Sequence, residues 1–312
     1  MNSTPILTII TPVYNGERFI AETIESVLNA NIETTYEHII LDDGSSDSTP
    51  SILNSFKDRV QIFSHKNVGE SATVNLGLEK ARGEFILILN ADDPFLTGEL
   101  VKNALKTLQK DLAIVAIYPD WQIIDEGGRP IQNKILPEYS DETFIGRCKC
   151  LPGPGTIFRK DAALKIGGRG ENWKFGGDYD FWLRLSREGK ILRQPGILAQ
   201  WRQNADSTSI SQRGLDMANE RIAVTQTFIQ NNTLPIKLKR MALGNSYYLA
   251  ARLSFFDKKI RGRTLMLTSL KHRRGWPEEG KFYVVFYLLC LPVSSILVKP
   301  LRKIIVKFSS YK

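Results

Sequence analysis

The sequence predicts an α/β protein built on a mainly parallel, doubly wound sheet, and three observations carry that prediction. Apolar strand-like runs alternate with helix-spaced segments through the first half of the chain. The runs are hydrophobic on both faces, as strands covered by helices on either side must be. Each run also stops abruptly in polar turn residues, and in open parallel sheets ligands bind beyond the carboxyl ends of the strands.

Taken in order, "ILTIITPVYN" reads as a first strand ending in turn chemistry. "ERFIAETIESVLNA" follows with helical spacing of Phe19, Ile20, Ile24, Val27 and Leu28. "YEHIILDDGSSDST" is a strand running into acidic and serine-rich residues, with Asp47 or Ser48 placed to cap "PSILNSF". "VQIFSH" is a short strand, "GESATVNLGLEKARG" a helix closed by Gly83, and "EFILILNADD" the next strand. The helix "ELVKNALKTLQK" and the strand "LAIVAIYPD" complete the alternation. Asp42, Asp43, Asn90 and Asp92 all fall at strand ends. Residues 119–214 are richer in loops, with "DEGGRP", "LPGPG" and "GGRGENWKFGGD" around a short helix, "DYDFWLRLSREG". From about Leu215 the pattern turns helical and basic, which predicts a catalytic domain over 1–214 and a helical region over 215–312.

The chain has 312 residues and a formal net charge of +9, concentrated toward its C-terminal quarter (Lys237, Lys239, Arg240, Lys258, Lys259, Arg261 and others). Such a balance points to an anionic partner. No nucleic-acid-binding module accompanies it, which leaves a phosphorylated ligand or an anionic membrane. Cys148 and Cys150 stand one residue apart, a spacing that suits neither an ordinary disulfide nor a zinc site without more ligands, so reduced cytosolic thiols are expected. "MNSTPILTIITPVYNG" lacks a basic start and is broken by Pro12, which is unlike a signal peptide and places the expected site of action in the cytosol.

Four segments stand in a fixed order: "TIITPVYNGERFIAETIESVL", "LDDGSSDST", "NVGESATVNLGLEKARGEFILILNADD" and "GGDYDFWLRL". Together, over residues 6–214, they resemble the family 2 glycosyltransferases, inverting enzymes of the GT-A (nucleotide-diphosphosugar transferase) fold. The resemblance implies transfer of a sugar from a nucleotide diphosphate, with UDP favoured, to a hydroxyl of a glycan or lipid-linked acceptor in cell-surface polysaccharide synthesis. Its acidic D-x-D motif falls on Asn90-Ala91-Asp92. That makes Asp92 the implied metal ligand, Asp93 its support, and Mg²⁺ or Mn²⁺ the implied ion, since hard cations prefer carboxylates and phosphates. Asn90 keeps an oxygen for sugar or ribose hydroxyls but loses a charge.

Thr11, Pro12 and Tyr14 match positions lining the nucleobase pocket, Glu17 is at a matched position, and Asp43, beside Asp42, matches a carboxylate that accepts a uracil ring N–H. "NVGESATVNLG" matches a further donor-side block that includes Asn75, with Val74 where the family usually has Arg. Asp178 matches the general base, with Gly177 where Glu is common; such a base is worth ~10²–10⁴-fold in rate. Gly155 and Thr156 match the acceptor-side segment. "WRQNADSTS" aligns where a His often follows the Arg; here Arg202 is followed by Gln203 and Asn204, and Arg202 is read as facing either a phosphate or a surface ion pair. The departures at Asn90, Val74, Gly177 and Asn204 also fit a second reading, a decayed transferase that binds nucleotide sugar or acts as a scaffold. A dinucleotide oxidoreductase is excluded because no G-x-G-x-x-G turn follows the first strand. A sugar nucleotidyltransferase would want a glycine-rich, basic loop where "TPVYNGER" stands.

"KFYVVFYLLCLPVSSILVKP" (281–300) is the most apolar stretch, slightly short of the ~20 residues that span a bilayer and interrupted by Pro292. With the basic "PLRKIIVKF" after it, peripheral binding to the anionic inner face of the cell membrane is expected. The alternative is a hydrophobic hairpin packed on the domain.

Overall fold

The computed structural model of the protein describes residues 4–204, 214–254 and 259–272. The expectations for 281–300 and for the basic segment after it therefore lie outside the described residues. Among those that are described, no helix is long and apolar enough to cross a membrane. The described chain divides into two compact units, one of Met1–Phe144 with Lys149–Ser211, the other containing Ile145–Cys148 and the C-terminal helices.

The first unit is an α/β structure on an eight-stranded sheet. Its elements run β1 (Leu7–Val13), α1 (Ile20–Leu28), β2 (Tyr36–Asp42), α2 (Thr49–Asn54), β3 (Gln61–Ser64), α3 (Glu70–Lys80), β4 (Phe85–Ile88), α4 (Gly98–Leu108), β5 (Ile114–Ile124), β6 (Pro130–Lys134), β7 (Ile157–Arg159), α5 (Lys160–Lys165), α6 (Gly177–Leu185) and β8 (Lys190–Arg202). The sheet order is β3-β2-β1-β4-β7-β5-β6, with β8 also pairing β5. Strands β1 to β4 pair in parallel and β8 runs parallel to β5, whereas β7 is antiparallel to both β4 and β5. The short β7 and β6 lie in the segment whose sequence reads as loop-rich.

Both faces of the sheet are covered, as the two-sided apolar runs require. On one face Leu7, Ile9, Phe85 and Leu87 pack with Leu100, Val101, Ala104 and Leu105 of α4. Val13 and Ile40 pack there with Ile20 and Ile24 of α1 and with Leu53 of α2. Each such fully buried Leu- or Ile-sized side chain contributes about 1.5–3 kcal/mol. On the other face, a Cβ added to Gly77 of α3 would press on Ile10 and Leu41, and Phe181 and Trp182 of α6 pack edge-on to Phe158 of β7. α3 and α6 thus share a face, and both start at the carboxyl edge of the parallel strands.

The second unit carries α7 (Gly214–Asn231), α8 (Ile236–Ser254) and α9 (Lys259–His272). Small residues bring these helices close. Ala218, Ile222 and Ala250 are buried together, Ser269 Oγ donates to the Gly244 carbonyl at 2.6 Å, and Asn245 Nδ2 donates to the Gly146 carbonyl at 2.7 Å.

Candidate active site

At the ends of β1 and β2, two loops are laced together. Asn15 Oδ1 accepts from the Ser46 N–H at 2.8 Å and Glu17 Oε2 from the Ser48 N–H at 2.9 Å. In return the Gly16 N–H donates to Thr49 Oγ1 and the Glu17 N–H to Asp47 Oδ2. Glu17 therefore spends its carboxylate on holding the neighbouring loop. Thr11 and Pro12 are buried within β1, and Thr11 Oγ1 lies 2.9 Å from His38 Nε2. Tyr14, just past the strand, is 54% exposed, so its ring is open to a stacking partner. Asp42 accepts the Ser45 N–H at 3.0 Å. Asp43 accepts the N–H groups of Val68 and Gly69, one on each oxygen, at 2.6 and 2.9 Å, so the loop into α3 is anchored on it.

Beyond β4 the chain turns through Asn90, Ala91, Asp92 and Asp93. The Ala91 carbonyl accepts from Thr23 Oγ1 at 2.9 Å. Asn90 Nδ2 donates to Asp93 Oδ2 at 2.7 Å, so the Asn at the first motif position braces the acid pair. Asn204 Nδ2 donates to Asp92 Oδ2 at 2.7 Å, across 112 residues. Burial holds both acids above the usual carboxylate range. Asp92 is raised chiefly by desolvation. Asp93, 2% exposed, is pushed up to about 8 by burial and then by repulsion from Asp92.

Arg202 closes this corner from β8. It is 1% exposed. Its N–H donates to Asp93 Oδ1 and its Nε to the Asp92 carbonyl, each at 2.7 Å. Its Nη atoms reach the Glu126 carbonyl and Glu22 Oε1, each at 2.7 Å, and its guanidinium lies 4.7 Å from the Phe19 ring centre. Arg202 is an interior girder of the acid turn. Glu22 lies in the first of the four ordered segments, but the resemblance gives it no role; its place in the first turn of an amphipathic helix is where any acid suits the helix dipole.

Asp178 stands in the first turn of α6, exposed, with Oδ1 accepting the following Tyr179 N–H at 2.6 Å. The helix terminus holds the carboxylate while leaving it open to solvent. Two observations relate this helix to the Asp92 corner through α3. A Cβ on Gly177 would meet Ser71 Oγ at 2.9 Å, and the charge of Glu70, the residue before Ser71, acts on Asp92. The first turn of α3 therefore packs against the start of α6, and the charge of its Glu70 is felt at Asp92. Asn75, further along α3, grips the loop ahead of α6. Its Oδ1 accepts the Arg169 N–H at 2.7 Å and its Nδ2 donates to the Arg169 carbonyl at 2.9 Å. Val74 is fully buried. Gly155, at φ +76°, leaves no room for a side chain, because a Cβ would sit 2.6 Å from that of Ala199. Thr156 is buried and bonds back to Gly153.

The residues present fit a hard divalent ion. Two carboxylates, Asp93 buried and Asp92 partly so, lack full compensation inside the fold, and their oxygens are the donors such ions prefer. Among the described residues, no group of three or more His, Cys, Asp or Glu side chains forms a complete cage. An ion held at Asp92 would therefore draw its remaining ligands from substrate oxygens and water.

Comparison with known proteins gives the family and the fold. The family model described as "Glycosyl transferase family 2" matches residues 8–167. The chondroitin synthase of Escherichia coli is 30% identical over 231 residues, covering 73% of this chain and 33% of that protein. The hyaluronan synthase of Pasteurella multocida is 29% identical over 231 residues, covering 73% and 23% respectively. The chain thus spans a third or less of these two synthases. Among solved structures, Staphylococcus aureus TarS 1–349 in complex with UDP-GlcNAc superposes with a TM-score of 0.66 at 18% identity, over 85% of this chain and 79% of that one. The mannosyltransferase PcManGT from Pyrobaculum calidifontis, in complex with GDP-Man and Mn²⁺, superposes with a TM-score of 0.55 at 14% identity, over 92% and 85%. At these identities the likeness is one of fold.

Proposed function

The chain belongs to glycosyl transferase family 2, and from that premise we propose that it is an inverting transferase acting on a nucleotide-diphosphate sugar, with UDP the favoured nucleotide and a glycan or lipid-linked hydroxyl the acceptor. The observation that carries this reading is that the first turn of α3 packs against the start of α6, next to Asp178, while the charge of its Glu70 acts on Asp92. Tyr14 offers an aromatic face to the base. A divalent ion at Asp92, Mg²⁺ or Mn²⁺, would supply positive charge against the leaving diphosphate. Asp178 takes the proton of the acceptor hydroxyl as that oxygen bonds to the sugar C1 and the C1–phosphate bond breaks from the opposite face. The kinship with chondroitin and hyaluronan synthases supports a role in cell-surface polysaccharide assembly. The basic and apolar C-terminal sequence supports work at the inner face of the membrane, with 1–214 as the catalytic part and 215–312 as the associating part.

The test is nucleotide release from a panel of nucleotide sugars, with an oligosaccharide acceptor and with or without Mn²⁺. Acceptor-dependent release that Mn²⁺ stimulates is expected. The second reading, a nucleotide-sugar-binding scaffold, is favoured by the internal bonds that occupy Asn90 and Asn204; donor binding with no release under any condition would establish it.

A further inference from the structure

Building on the donor reading above, we propose that Arg169 binds the donor diphosphate, and that Glu70 holds its guanidinium in place when no donor is present.

Arg169 has an unusual position for a cation. It is 8% exposed, yet among the described residues its charge is met by a single carboxylate, that of Glu70, with Nη1 donating to Oε1 at 2.5 Å. Glu70 is itself 64% exposed. Among the described residues, Arg169 Nε finds no hydrogen-bond acceptor although it is buried. A buried guanidinium N–H left unpaired costs free energy comparable to a lost charge-assisted hydrogen bond, and a planar guanidinium suits phosphate oxygens. Its backbone is clamped by Asn75 on both its N–H and its carbonyl, so the side chain projects from a fixed point.

The neighbourhood favours an anion independently. α3 begins at Gly69, which has no side chain to cap it, and no side chain caps the helix. The first-turn N–H groups and the positive end of the helix dipole are therefore uncapped beside Arg169. Glu70 and Asp43, which accepts the Gly69 N–H, are the resident anions there, and the charge of Glu70 reaches Asp92. A diphosphate attracted to Asp92 through a divalent ion would thus lie within reach of Arg169. Val74 is buried and supplies no cation. The exposed Glu70 side chain is free to swing toward solvent and yield the guanidinium.

The experiment measures binding of UDP and GDP by calorimetry with Mg²⁺ present, and of the matching nucleosides by saturation-transfer NMR, for the full chain and for Arg169→Gln, Arg169→Lys and Glu70→Gln. Arg169→Gln is expected to weaken the preferred nucleoside diphosphate about 10- to 100-fold, the worth of one or more charge-assisted hydrogen bonds, and to leave the nucleoside unchanged. Arg169→Lys recovers part of the loss. Glu70→Gln strengthens diphosphate binding, because it removes the competing carboxylate. A purely structural ion pair predicts the opposite pattern, with Arg169→Gln and Glu70→Gln harmful alike, and that result overturns the proposal. So does an equal loss of nucleoside and diphosphate binding in Arg169→Gln. A wild-type chain that binds neither diphosphate overturns the donor reading itself, and this assignment with it.

Discussion

Arg202, the last residue of β8, donates its backbone N–H to Asp93 and its Nε to the Asp92 carbonyl, each at 2.7 Å. One residue thus positions both acids of a turn more than a hundred residues earlier in the chain. It also compensates charge where water cannot, since an unpaired buried carboxylate carries a heavy desolvation cost.

Replacing Arg202 with Met keeps the backbone N–H to Asp93 but removes the guanidinium and its bond to the Asp92 carbonyl. The variant is expected to lose about 3 kcal/mol of stability, since it strips the Asp92 and Glu126 carbonyls of their donors and takes a positive charge from beside the two acids. Urea unfolding of both proteins measures this, and an unchanged midpoint would refute the structural role assigned to the guanidinium.

Asp92→Asn separates stability from function. Burial raises the Asp92 pKa, which means the fold disfavours the charged form. A neutral amide of the same shape relieves that penalty and the repulsion on Asp93. The melting temperature should rise by the equivalent of roughly 1 kcal/mol while stimulation by Mn²⁺ is lost, a trade common at active sites. A less stable variant that still responds to Mn²⁺ contradicts both expectations.

Asp178→Asn should bind donor as the parent does and turn over ~10²–10⁴-fold more slowly, because only the proton acceptor is removed. Rates at saturating donor and acceptor, set beside calorimetric donor affinity, decide the matter. Near-normal turnover moves the base to another residue.

His38 gives the fold a pH dependence. Burial lowers its pKa from the usual 6.5 to about 3, so between those values the unfolded chain binds a proton that the folded chain refuses. Stability is therefore highest above pH 6.5 and falls as pH drops toward 3, with a slope approaching ~1.4 kcal/mol per pH unit from this group. Carboxylates with depressed pKa values, such as Glu37 and Asp120, add to the fall at the acid end. Denaturant midpoints across pH 4–7 should show a shallower dependence in His38→Gln. An identical slope in the two proteins would mean that His38 is protonated inside the fold.

Much of the architecture was legible in the residues themselves. The apolar-rich runs at Leu7–Val13, Tyr36–Asp42 and Phe85–Ile88 read as strands covered on both sides, and the helices between them carry their buried positions at helical spacing. That periodicity is local, because it records which face of each element meets the core. It also placed Asp43 and Asp92 at strand ends, where parallel sheets bind ligands. The three-residue β7 was not legible, since a strand that short has no period to read. Nor was the long β8, whose mixed burial comes from a bulged pairing with β5.

The amino-acid order alone determined the parallel core, the two-sided helical cover and the acids that end the strands. Tertiary structure decided which side chains meet: Asn204 with Asp92, Arg202 with Asp93, and Asn75 with Arg169, each pair separated by more than ninety residues. The physical reason is that burial patterning depends on a residue and its near neighbours, whereas hydrogen bonds between distant segments depend on how strands register and helices pack. Arg202 shows the difference best. In the sequence it reads as facing either a phosphate or a surface ion pair, and only the fold makes it the interior support of the acid pair.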